Sequence, residues 1–351
     1  MNKVLFKPAR DPQVKNKHID ACLLEESQYF KSAGFDHIEL VNQSAAAISF
    51  EQISLSTTFL GHGLKAPVMI APMTGGTELG AKLNQRWAEA AEHFGIALGV
   101  GSQRLALENS AVEKSFQVRV YAPTTMIFAN LGAAQLVRGM HAQHCLKAVD
   151  MVKANALFIH LNPCQEACQQ GGDANFSGVL TAIAQVVHEL EPLKIPVLVR
   201  EVGFGLSEQA AKALLETGIA GLDCAGAGGT SWAKVESLCA SDESYRRLAW
   251  VMGEWGIPTV QSIKNVRQLN SHIPLIACGG IRSGLDVAKA LALGANLAAI
   301  AQPMLKAAMI GSEALHDYIE QILLELKVAM FASGAREIAD LLVCEKYTDL
   351  A

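Results

Sequence analysis

His160, Asn162, Gln165 and Glu166 sit within one seven-residue run, His160-Leu161-Asn162-Pro163-Cys164-Gln165-Glu166. Histidine takes or gives a proton near neutral pH. The two amides can hold oxygens in place, and Glu166 is a hard anionic ligand or a base. The run follows Ala156-Leu157-Phe158-Ile159, which reads as a buried strand. Strand-to-loop exits are where parallel α/β proteins set their chemistry. A motif this short also fits an ordinary polar loop, so its weight depends on what else the chain brings to the same place.

The elements that would position it recur along the chain. Apolar runs appear at Pro67–Pro72, Ile96–Gly101, Met126–Gly132, the stretch into His160, Pro196–Gly203, Gly221–Gly226, Pro274–Gly280 and Leu297–Gln302. Helical patterns separate most of them, as at Leu79–His93, Asn175–Leu190 and Glu208–Thr217. Eight strands alternating with helices, without hairpin signals between them, imply a parallel sheet. Eight units over about 240 residues match a (β/α)8 TIM barrel. No GxGxxG follows the first strand, which argues against an open doubly wound sheet. The expected fold is α/β, a barrel with an N-terminal arm and a lid-like insertion after strand 6, within Ala233–Ser271. The arm covers 1–60, with a helix from Val14 to Leu24 and a strand at Phe35–Leu40. The barrel covers 61–340, closed by a helix over Glu313–Ala332, and a tail covers 341–351.

A barrel of this kind gathers its strand ends on one face. Those ends supply Thr74, Ser102, Gln103, Arg104, Asn130, His160, Asn162, Gln165, Glu166, Arg200, Thr230 and the Gly279-Gly280 loop. Gly279-Gly280-Ile281-Arg282-Ser283-Gly284 follows strand 7 and opens a helix, a place where backbone N–H groups meet a phosphate. Gly226-Ala227-Gly228-Gly229-Thr230 adds further N–H groups and a hydroxyl. Ser102 and Asn130 suit the amide edges of a flat polar ring. Arg200 suits a ring that gains negative charge, as reduced flavin does near N1; it equally suits an ion pair with a neighbouring carboxylate. On the arm, Lys15 and His18 lie one helical turn apart and can face one anion, or solvent.

Half of the 351 residues are hydrophobic, 18% are charged, and the formal net charge is −5 with no Lys/Arg cluster. That composition points to a deep core and away from nucleic-acid or membrane surfaces as partners. The start, Met1–Pro8, is too short and polar for a signal peptide. The apolar stretch Leu285–Ile310 is broken by Asp286, Lys289, Asn296, Gln302 and Lys306, so it is not a membrane span. The eight cysteines are scattered, and Cys164 and Cys168 form the only close pair. Reduced core thiols in a cytoplasmic protein are expected.

Several motifs together resemble the type 2, FMN-dependent isopentenyl diphosphate isomerase family. They are Ala71-Pro72-Met73-Thr74-Gly75-Gly76, Gly101-Ser102-Gln103-Arg104, His160-Leu161-Asn162-Pro163 with Gln165-Glu166, Arg200-Glu201-Val202-Gly203, Ala225–Trp232 and Gly279–Gly284. The likeness runs from about residue 14 to about residue 340. It implies that Met73, Thr74, Gly75, Ser102, Asn130, Arg200, Thr230, Gly280, Ile281, Arg282, Ala301 and Gln302 contact FMN. It implies that Lys15, His18, Ser102, Gln103, Arg104, His160, Asn162 and Gln165 line the site of a small diphosphate substrate, and that Glu166 binds Mg2+. His160, Gln165 and Arg200 are the catalytic candidates, with His160 orienting substrate. NADPH would reduce the flavin without being consumed on each turnover. A homo-oligomer, tetramer or octamer, is implied as well.

Three positions depart from the family pattern. Val14 stands where an Arg is usual, with Arg10 or Lys17 as possible substitutes; Arg200 stands where Lys is more frequent; Gln302 stands where Arg is frequent. Two other readings stay open: an FMN-dependent 2-hydroxy acid oxidoreductase and a non-catalytic flavin-binding protein. The former needs a His base on the late strand ends, which instead offer Gly279 and Gln302.

Overall fold

Each of the eight apolar runs forms one strand in the computed structural model, which describes residues 12–344 and 346–348. The strands are β1 (Val68–Ile70), β2 (Ala97–Gly99), β3 (Ile127–Gly132), β4 (Ala156–Leu161), β5 (Val197–Glu201), β6 (Gly221–Asp223), β7 (Leu275–Cys278) and β8 (Leu297–Ile300). They pair in parallel in chain order, and β8 pairs with β1 to close the barrel. All their residues are buried except His160 and Leu161 at the exit of β4. Burial on both faces explains why the runs read as continuously apolar rather than alternating. Met69, Phe128, Phe158, Leu198 and Ile276 pack inside the barrel, while their neighbours Ile70, Ile127, Leu157, Val199 and Leu275 pack under the helices.

Register places the polar strand ends side by side. Gly132 is opposite His160, His160 opposite Arg200, and Arg200 opposite Asp223. The helix over Ser312–Ser333 packs on the outer layer near Gly284–Ala292 and Gln302–Ile310.

The lower end of the barrel is closed by a hairpin, Thr57–Phe59 with His62–Leu64. Its turn residues Leu60 and Gly61 both have positive φ, 47° and 80°, the geometry that matches hairpin twist. The hairpin straddles residue 60, where the sequence suggested an arm ending. Among the described residues the arm includes the helix Pro12–Leu23 and the strand Ile38–Leu40. That strand pairs antiparallel with Lys346–Thr348 in the tail. Arg10 lies outside the described residues, as do 345 and 349–351.

After β6 come helices Trp232–Cys239, Glu243–Val251 and Thr259–Leu269. They form a seat for the arm. Tyr29 Oη donates to Trp255 O at 2.8 Å, Lys31 Nζ to Glu254 O at 2.7 Å, and Lys234 Nζ to Gln28 O at 2.7 Å. Among the described residues no helix is long and apolar enough to cross a membrane.

Candidate active site

The upper strand ends and the arm helix enclose a cavity of about 300 Å3. Of the residues singled out above, Lys15, His18, Met73, Thr74, Ser102, Arg104, Asn130, His160, Asn162, Gln165, Glu166, Arg200, Thr230, Gly280, Ile281, Arg282, Ala301 and Gln302 line it. Two do not. Gln103 is fully buried in the barrel wall, where its amide donates to Ala148 O at 2.7 Å and accepts from Asn130 N at 3.0 Å. Its place is structural: it fixes the end of β3 rather than facing a ligand. Gly75 presses against Phe116, and its carbonyl accepts from Lys15 Nζ at 2.6 Å. Val14 lines the cavity, whereas Lys17 is exposed and outside it.

One end of the cavity gathers glycine loops, helix N-termini and a guanidinium. Gly279 and Gly280 have φ of 99° and 71°, which a side chain strains against. A Cβ on Gly229 would stand 2.6 Å from Gly280 N, so the two glycine loops touch through bare backbone. Two helices begin beside them, Gly284–Ala292 and Gln302–Ile310, and helix N-termini favour anions. Arg282 donates to Gln28 Oε1 at 2.8 Å and to Gln302 Oε1 at 3.3 Å; Gln28 in turn donates to Thr230 Oγ1 at 3.3 Å.

The centre is charged but nearly neutral overall. Arg200 is buried beside Asp223, 3.4 Å from Nε to Oδ2, with its guanidinium 5.7 Å from the Phe158 ring centre. Burial pushes the Asp223 carboxyl up, and the Arg200 charge opposes that. His160 Nδ1 lies 2.8 Å from Asn130 Oδ1. Asn130 Nδ2 donates to Val100 O, which fixes the amide's orientation, so Nδ1 is the protonated nitrogen and Nε2 is an acceptor. Burial, then the Arg200 charge, lowers the His160 pKa to about 4. Next to Arg200, one oxygen of Glu201 accepts the N–H groups of Val202, Gly203, Phe204 and Gly205. Burial nonetheless raises that carboxyl to about 7.

The other end carries Glu166 and the cations. Asn162 Nδ2 donates to both Gln165 Oε1 and Glu166 Oε1 at 3.1 Å, and Asp173 N donates to Glu166 Oε2 at 2.5 Å. Asn162 Oδ1 is buried without a hydrogen-bond partner. Lys15 Nζ reaches in from the arm to Gly75 O and Ser102 O, and burial lowers its pKa to about 8. Glu236 accepts from Gln165 and Gln169 at 2.8 Å and lies 3.4 Å from His18 Nε2. Glu236, Asp223 and Gln135 were not singled out in the sequence. For Glu236 the available signal was its place one helical turn beyond Trp232, on the helix that follows the glycine loop.

The sequence matches the FMN-dependent dehydrogenase family over residues 19–143 and 175–344. It is 44% identical over 321 residues to a protein of Nostoc sp. named isopentenyl-diphosphate delta-isomerase, covering 91% of both chains. Proteins of the same name from Vibrio campbellii and Deinococcus radiodurans are 42% and 43% identical, over 92% and 93% of this chain and 95% of theirs. In three dimensions the chain resembles a mandelate oxidase solved with (S)-2-phenylpropionate, with a TM-score of 0.65 at 14% identity, over 97% of this chain and 98% of that one. At that identity the likeness speaks for the fold.

Proposed function

We propose, on the premise that this chain belongs to the isopentenyl-diphosphate delta-isomerase family and to the FMN-dependent dehydrogenases, that it interconverts isopentenyl diphosphate and dimethylallyl diphosphate. The observation that carries this reading is a single cavity with two dissimilar anion ends. The glycine loops, Thr230 and Arg282 stand at one end; Lys15, Arg104 and Glu166 stand at the other; Arg200, Asn130 and His160 lie along it.

The residues fit FMN. Gly280, Ile281, Arg282, Thr230, Ala301 and Gln302 would hold its phosphate, since bare N–H groups, a guanidinium and a hydroxyl are the donors a phosphate takes. Met73, Thr74, Ser102 and Asn130 would border its ring, with Gly75 behind them and Arg200 beside the edge that gains charge. Reduced FMN, when bound, supplies the proton donor and acceptor for a 1,3-allylic shift that has no net redox change, and NADPH is the proposed reductant.

They also fit Mg2+. Among the described residues no group of three or more acidic, His or Cys side chains stands ready for a metal. Mg2+ commonly keeps its waters and binds through one carboxylate plus substrate phosphates. Glu166 is that carboxylate, and the unpartnered Asn162 Oδ1 suits a donor such as a metal-bound water. Lys15, His18, Arg104 and Gln165 would then orient the diphosphate. Fixing that end holds the alkene in one place, which is where positional catalysis gains its rate. His160, uncharged and lining the cavity, orients substrate. The helix that delivers Lys15 and His18 excludes water from the same space. The reading includes an arm over 1–60, a barrel over 61–340, a tail over 341–351, a cytoplasmic setting and a homo-oligomer.

The test is anaerobic: supply FMN, NADPH and Mg2+ with isopentenyl diphosphate and follow the allylic isomer by NMR. The isomer is the expected product. No isomer, together with oxidation of a 2-hydroxy acid by an electron acceptor, would replace this reading. Glu166→Gln should weaken Mg2+-dependent substrate binding and leave the flavin absorption spectrum unchanged; loss of flavin would break the division of roles.

A further inference from the structure

Behind the Glu166 end of the cavity lies an ion network that belongs to no ligand. Asp173 is buried, 1% exposed, and its carboxylate faces two guanidiniums. Arg138 pairs with its Oδ1, and Arg104 Nη1 stands 3.6 Å from its Oδ2. Its backbone N–H donates to Glu166 Oε2 at 2.5 Å. Asp173 therefore touches both Glu166 and Arg104, the carboxylate and the cation of that end. Arg104 is held a second time by Glu108, 2.8 Å from Nε.

The loop that presents Asp173 is folded for this contact. Gly171 has φ of 72°. A Cβ on Gly172 would stand 1.9 Å from Glu166 O, so the chain turns back directly onto the short helix Pro163–Cys168. Arg138 caps the helix Ala133–Val137 after β3, Arg104 opens the helix after β2, and Asp173 follows β4. The network thus links three consecutive barrel units. Arg138 does not line the cavity.

We propose that Asp173, charge-balanced by Arg138, is a positioning residue that sets Glu166 and Arg104 at the separation a metal-bound diphosphate requires. This rests on the reading of that end as a Mg2+-diphosphate site. The physical reason is that Asp173 meets both groups from behind the cavity: its N–H holds Glu166 Oε2 and its carboxylate faces Arg104. Without Arg138 the buried Asp173 carboxylate loses one of its two guanidinium partners, a loss the protein relieves by moving the loop. That movement shifts the N–H on Glu166 and loosens one of the two contacts that hold Arg104. Outer partners of a metal ligand characteristically tune affinity in this way.

The experiment uses the FMN-loaded protein and Mg2+ with inorganic pyrophosphate, measured by calorimetry. Arg138→Met should weaken binding about 10-fold or more and raise the KM of the diphosphate substrate by a similar factor. Its kcat, flavin spectrum and circular dichroism should stay near those of the parent. Arg138→Lys should recover part of the loss, and Asp173→Asn should show the same loss as Arg138→Met. Unchanged pyrophosphate affinity in Arg138→Met overturns the proposal. A loss confined to kcat, or loss of flavin, does so as well, by showing a general structural role. If the parent protein itself binds no Mg2+-pyrophosphate, the reading of the site fails first, and the two failures are told apart by that control.

Discussion

At the scale of single residues, the tautomer of His160 decides what the site can do. Nδ1 is committed to Asn130 Oδ1, so Nε2 is left as a lone pair. With the pKa at about 4, the ring is neutral at physiological pH and donates no proton from Nε2. A diphosphate oxygen placed against it must bring a proton or raise the pKa, so binding of Mg2+-pyrophosphate should take up protons near pH 6. The same shift governs stability. The folded pKa lies below the ordinary value of 6.5, so the unfolded chain binds the proton more readily between the two. This contribution is whole above pH 6.5 and is lost as pH falls toward 4. A shift of this size corresponds to at most about 3 kcal/mol. In urea denaturation of the apoprotein, His160→Gln should therefore lose less stability than the parent between pH 7 and pH 4.5. Equal losses would show that the ring is already charged in the fold.

At the scale of elements, the strands were readable and their edges were not. Eight runs buried on both faces leave an uninterrupted apolar signal, so every barrel strand was found from composition and turns alone. The hairpin Thr57–Phe59 and His62–Leu64 has three residues a side and one exposed face, too little pattern to see. The tail strand Lys346–Thr348 exists through its pairing with Ile38–Leu40, a contact over three hundred residues away in the chain that no local period reports. Of the candidate site, strand-end position was a good guide, but adjacency misled at Gln103, where the chain turns between Ser102 and Arg104 and sends the middle side chain into the wall. Glu236 and Asp173 were out of reach because their importance lies in what they touch. That the arm packs on the barrel was expected, but the contacts that seat it were not readable, and they are testable. Tyr29 N donates to Gly229 O at 2.8 Å, and a Cβ on Gly228, where φ is 122°, would stand 2.3 Å from Ala33 Cα. Gly228→Ala should unseat the segment that carries Lys15 and His18, at a cost of at least about 1–3 kcal/mol in strain. Faster proteolytic cleavage within the arm and about tenfold weaker Mg2+-pyrophosphate binding are expected together; cleavage without weaker binding would remove the arm from the site.

For the whole molecule, the two ends of the barrel are joined by one column of side chains along its axis. Phe59 from the hairpin lies 6.3 Å from Phe128, Phe128 stacks on Phe158 at 4.6 Å, and Phe158 meets the Arg200 guanidinium at 5.7 Å. The three rings of the column are core packing, and only its top, Arg200, lines the cavity. Division of labour between the two faces of a barrel, stability below and chemistry above, makes a sharp demand on this arrangement. Phe59 is 2% exposed, so Phe59→Ala leaves a large void and should cost about 3–5 kcal/mol in chemical denaturation. Between Phe59 and Arg200 stand two aromatic rings, each held on its own strand by backbone pairing on both sides. The void should therefore be absorbed by the short hairpin, whose ladder has only three residue pairs, before it reaches Phe158. FMN affinity and the KM of the folded variant should match the parent within about twofold, well below the tenfold that 1.4 kcal/mol would produce. A change in flavin affinity as large as the change in stability would mean that the column moves as one body, and that the closing hairpin is part of the active site.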